Sequence, residues 1–167
     1  MGKKSTKENK NIYQMCREDL GLSRQAAADL LEVINEDRIE RIEKGALPRP
    51  DEIVIMAEKY GAPYLHNYYC VNECEIGQKY VPAVEPKELP RITLEMLAIM
   101  NRLTREKERL IEITFDGEIS EAELPDFVAL EKQLDDMAAV IASLKLWVQT
   151  EIGNERIDRE KYEQLGI

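Results

Sequence analysis

The chemically most reactive residue types in this 167-residue chain are concentrated in one short stretch. Its only histidine, His66, and two of its three cysteines, Cys70 and Cys74, follow one another at intervals of four. Four-residue spacing places all three on one face of a continuous helix, and thiolates with an imidazole are the donors that zinc prefers. A structural zinc site wants four ligands, and Cys16 is the one remaining soft donor. Along a straight helix, however, the first and third ligands stand about 12 Å apart at 1.5 Å per residue, too far for one tetrahedral centre unless the helix ends after Cys70. Packed free thiols are therefore the expected state, ahead of a metal site or a Cys70 to Cys74 disulfide, and neither a metal nor a cofactor is expected. A thiol or metal sensor remains a weak third reading. Catalysis is not expected: the chain has no phosphate-cradling glycine loop, no nucleophile elbow and no second histidine to serve a Cys-His pair.

The elements that must position any site read as helices. Ser23 is a good N-cap for a short helix with Ala26, Ala27, Leu30 and Leu31 on one face, and Asn35 caps a second that turns Ile39 and Ile42 inward and stops at Gly45. Glu32 to Ile34 connect them. Two short helices joined tightly and closed by glycine are the grammar of a helix-turn-helix.

The stretch LSRQAAADLLEVINEDRIERIEKG, residues 22–45, resembles the XRE-type, lambda-repressor-like helix-turn-helix regulators of bacteria and phages, whose recurrent pattern is LSQxxLAxxLGVSxxxIsRiExG. LSRQAAADLL and IERIEKG carry the match. PDEIVIMAEKYG (50–61) resembles that family's fourth helix and PYLHNYYCVNECEIG (63–77) a fifth, so the likeness covers about residues 10–77. Two departures stand out. Glu32 occupies the usual turn-glycine position in a connection one residue longer than the pattern, and Glu36, Asp37 and Glu40 put carboxylates where phosphates would approach.

The resemblance implies double-stranded DNA as partner, with the helix opening at Asn35 in the major groove and the preceding helix across the backbone. On that basis Arg24 and Gln25 would contact phosphate, Arg38 would read guanine, Asn35 adenine, Glu36 or Asp37 cytosine, and Arg41, Lys44 and Arg49 would hold flanking phosphates. The local alternative is helix stabilisation, since Asp37 with Arg41 and Glu40 with Lys44 have four-residue spacing.

Charge is distributed unevenly. Of the net charge of −10, residues 1–80 contribute −2 and residues 81–167 contribute −8, so the chain is no general nucleic-acid binder. Lys3, Lys4, Lys7 and Lys10 form a basic N-terminal arm, expected to be flexible. No run of about 18 uncharged apolar residues and no secretory leader is visible, so a cytoplasmic location with no membrane partner is expected.

Residues 81–91, with Pro82, Pro86 and Pro90, read as a linker between a helix-turn-helix domain (11–80) and a helical module (92–167). Thr93 is the expected cap of a helix ending near Thr114, Asp116 and Gly117 supply a turn, and Ser120 with Glu123 signals a second long helix. There Phe127, Leu130, Leu134, Met137, Ile141, Leu144 and Val148 alternate by three and four, predicting a coiled-coil seam in an antiparallel hairpin. Val140 and Trp147 widen that stripe, which implies a third helix or, as the favoured expectation, a homodimer; the last segment, with Ile157, Tyr162 and Leu165, is the alternative cover.

The expectation is thus an all-α, homodimeric, sequence-specific transcriptional regulator with an imperfectly palindromic operator, its half-sites about 34 Å apart. The alternative is an antitoxin-like or phage-derived adaptor whose helix-turn-helix no longer binds DNA and whose acidic surface docks a protein.

Overall fold

A computed structural model describes residues 10–166. The basic arm expected at Lys3, Lys4 and Lys7 lies outside the described residues. The protein is all-α, and the described residues contain no strand. The helices are α1 (Ile12–Asp19), α2 (Arg24–Leu31), α3 (Glu36–Glu43), α4 (Pro50–Lys59), α5 (Tyr64–Asn72), α6 (Gly77–Tyr80), α7 (Leu89–Thr114), α8 (Leu124–Gly153) and α9 (Arg159–Leu165). They form two compact units, one of residues 1–81 with 149–167 and one of residues 82–148.

The first unit is built from short helices that none of their own hydrogen bonds would sustain in isolation, since helices of eight residues are marginal in water. Capping and burial hold them. Asn11, Ser23 and Asn35 each accept a backbone N–H three residues on, opening α1, α2 and α3. Pro50 opens α4 at a position where its missing N–H costs nothing. Tyr13, Cys16, Ala27, Leu31, Ile34, Ile39, Ile42, Ile53, Met56, Tyr60 and Leu65 then meet in one core. Each large aliphatic among them contributes about 1.5 to 3 kcal/mol by leaving water.

The connection between α2 and α3 turns sharply at Glu32. Glu32 takes φ +62° and ψ −46°, and the N–H of Val33 donates to the carbonyl of Leu31 at 2.7 Å, a γ-turn of the strained, positive-φ kind. The adjoining Val33 is left exposed while Ile34 enters the core.

In the second unit, α7 starts before the expected cap. Glu88 precedes it, Pro90 sits in its first turn, and the Thr93 hydroxyl donates back to the carbonyl of Leu89 at 2.9 Å instead of capping. The helix ends at Thr114, and Gly117 takes φ +77° in the following turn. Ser120 donates to the Glu123 carboxylate through both its backbone N–H and its hydroxyl just ahead of α8.

The seam between α7 and α8 differs from the expected one. Ile92, Ile99 and Val140 form the core, with Met96, Leu103, Met137, Leu144 and Trp147 packed against them, and Leu130 is buried. Leu130, Met137 and Leu144 hold their expected place, but Leu134 and Ile141 are 51% and 43% exposed. Val140 and Trp147 replace them. Both registers step by three and four along α8, and the sequence of one helix cannot say which flank its partner takes. Residues 149–153 of α8 and all of α9 group with the first unit; Tyr162 and Leu165 remain exposed there.

Candidate nucleic-acid interface

Helix α3 carries the candidate interface. Ile39 and Ile42 are buried, and Glu36, Asp37 and Arg41 are exposed on the opposite side. Asn35 is also exposed, but its side-chain oxygen is committed to the N–H of Arg38 at 2.9 Å.

Arg38 is held in place by the protein itself. Its Nε and one terminal nitrogen donate to the two oxygens of Glu52 on α4 at 2.8 and 2.6 Å, and the same terminal nitrogen donates to the carbonyl of Leu47 at 3.0 Å. The Glu52 carboxylate is 3% exposed and also accepts the backbone N–H of Arg49. Hydrogen bonding from Arg38, opposed in part by burial, holds the Glu52 carboxyl below the ordinary glutamate value. The guanidinium expected to read guanine therefore fastens α3 to α4.

Arg24 is similarly engaged. Its Nε donates to Glu43 at 2.8 Å and a terminal nitrogen to Glu40 at 3.3 Å. The Glu43 side chain, 2% exposed, also takes two hydrogen bonds from the buried Arg17, whose third donor reaches the carbonyl of Leu22 at 2.6 Å. Glu43 thus ties α1, α2 and α3 together through charge-assisted bonds.

The remaining cations follow the same pattern with looser pairs. Lys44 meets Glu40 at 3.1 Å, Arg49 meets Asp51 and Glu52 at 3.4 and 3.5 Å, and Lys59 meets Glu32 at 3.5 Å. Gln25 donates to Asp29. Among the described residues Arg41 is paired with no carboxylate, and its Nε donates to the carbonyl of Asp37 at 3.4 Å. Of the candidate contact residues, the structure therefore leaves Glu36, Asp37 and Arg41 projecting together from one helix.

The thiol cluster is divided by the end of α5. The helix stops at Asn72, a turn carries Cys74 away from its axis, and the Cys74 sulfur accepts the N–H of Gly77 at 3.4 Å. Gly77 is buried against the carbonyl of Cys70, where any Cβ would collide. Cys16 lies in the core 2.9 Å from the Tyr64 hydroxyl. Burial pushes the thiols of Cys16 and Cys70 up and the imidazole of His66 down, so each is held in its neutral form. Among the described residues no group of three or more His, Cys, Asp or Glu is arranged to hold a metal ion.

Two residues that carry the site, Glu43 and Glu52, are invisible to helix-face reasoning because their partners lie 26 and 14 residues away. Glu52 has a partial signal, since it stands three residues after Arg49 with a proline between them. Comparison of the chain with protein-family models, curated proteins and solved structures returns no match.

Proposed function

We propose that the protein is a homodimeric, sequence-specific transcriptional regulator that reads double-stranded DNA through α3. The observation that carries this reading is the isolation of Glu36, Asp37 and Arg41 on the exposed side of a capped helix that is fastened on its other side to α1, α2 and α4. A recognition helix needs this combination: a fixed backbone and a few side chains not consumed in fixing it. Arg41 would supply the guanine contact and the two carboxylates would accept from cytosine amino groups. Arg24, Arg38 and Glu43 orient the helix.

A second reading, an adaptor whose helix-turn-helix no longer binds DNA and whose acidic surface docks a protein, draws on the same network. Lys10, Arg17, Arg24, Arg38, Lys44, Arg49 and Lys59 all meet carboxylates, so the described residues of the first unit present little unneutralised positive charge to a phosphate backbone.

The two readings differ in the effect of Arg41→Ala on binding of a genomic DNA fragment pool at low salt. The DNA reading predicts a loss of about 1 to 3 kcal/mol, with the denaturation midpoint unchanged because Arg41 is exposed and makes one long bond. Wild type and variant binding the pool equally, or neither binding it, would support the adaptor.

A further inference from the structure

Helix α8 is apolar on more sides than the described residues of its own chain cover. From Met137 to Val148 the only charged side chain is Lys145, and a helix apolar all round belongs in a buried environment. The side bearing Met137, Val140 and Leu144 packs on α7. On one flank, Val84 of the connecting segment lies with Ala98 of α7 and with Ala139 and Ser143 of α8 around a groove of about 500 Å³. Among the described residues the opposite flank has no such cover. It presents Leu134, Ala138, Ile141 and Ala142, and α7 continues it with Leu97 and Met100, each 50% exposed.

We infer that this flank is covered by the same flank of a second copy, with α8 crossing its counterpart antiparallel on a two-fold axis at Ala138. The arrangement of residues about Ala138 selects this occupant. Glu131 and Lys145 stand seven residues to either side of it, both exposed and neither ion-paired within its own chain among the described residues. A two-fold axis at Ala138 sets Glu131 beside the partner's Lys145 and Lys145 beside the partner's Glu131, so one opposite-charge pair forms twice. The same operation sets Leu134 against the partner's Ala142, a large residue on a small one, and leaves only two methyl groups at the crossing.

The dimensions agree. From Phe127 to Val148 the helix runs about 32 Å, and two adjacent helices of about 10 Å width offer roughly 600 Å² per copy, close to the roughly 800 Å² per partner of a standard interface. The result is a four-helix bundle with α7 and α8 from each chain. This inference rests on the homodimer in the proposed function and is independent of DNA binding.

Sedimentation equilibrium of the full-length protein tests it, with charge reversals that cannot disturb the core. The wild type is expected to be dimeric at micromolar concentration; Glu131→Lys and Lys145→Glu each weaken the dimer about tenfold, and the double variant recovers most of the loss. Ile141→Glu weakens it about 100-fold or more. Mild oxidation of Ala138→Cys gives a disulfide joining the two introduced thiols, mapped by peptide mass. A monomeric wild type would overturn both the homodimer and this surface. A dimer indifferent to Ile141→Glu and to both reversals, with no disulfide at position 138, would overturn the surface and leave the homodimer standing elsewhere.

Discussion

At Glu32 the backbone adopts a strained, positive-φ γ-turn conformation that costs an L-residue about 1 to 3 kcal/mol and costs glycine less. Replacing Glu32 by Gly therefore raises stability by about 1 kcal/mol despite the loss of its exposed 3.5 Å pair with Lys59. Chemical denaturation checks this; an unchanged or lower midpoint would show that the turn is not strained. Glu43 is the opposite case. Glu43→Ala strands the guanidinium of Arg17 in the core and frees Arg24, costing about 3 to 5 kcal/mol, a large part of the stability of a small domain. Loss of less than about 1 kcal/mol in the same assay would remove Glu43 as the tie between α1, α2 and α3.

Among the elements, α3 owes its angle to a salt link that responds to acid. The folded pKa of Glu52 is depressed by Arg38, so its contribution to stability is fully present above the ordinary glutamate value of about 4.3 and is lost as pH falls through the depressed folded value. Between about pH 5 and about pH 2, the wild type should lose more thermal stability than Arg38→Met, in which Glu52 has no such partner. Parallel curves would contradict the link. The capped starts of α2 and α3 were legible in sequence because Ser23 and Asn35 act on their own next turn. The end of α5 before Cys74 was not, since it follows from the close approach of Gly77 to Cys70. The α8 seam was legible in its period and not in its phase: Leu134 and Val140 satisfy the same spacing, and only the position of α7 distinguishes them.

For the whole molecule, periodicity gave an all-helical chain, while the grouping of residues 149–167 with the first unit depends on long-range contacts that no local pattern encodes. Among the described residues no helix is long and apolar enough to cross a membrane. If α3 reads DNA in a two-fold dimer, the described residues must recognise it mainly through base contacts, because few cations among them remain for phosphates. Base contacts of that kind lose little affinity with added salt compared with phosphate contacts. The most direct test is selection of bound duplexes from a random pool by the full-length protein at low and near-physiological salt. The expected outcome is an imperfectly palindromic motif, half-sites about one helical turn apart, that persists at the higher salt. A pool without an enriched motif, or binding that disappears with salt, would contradict it.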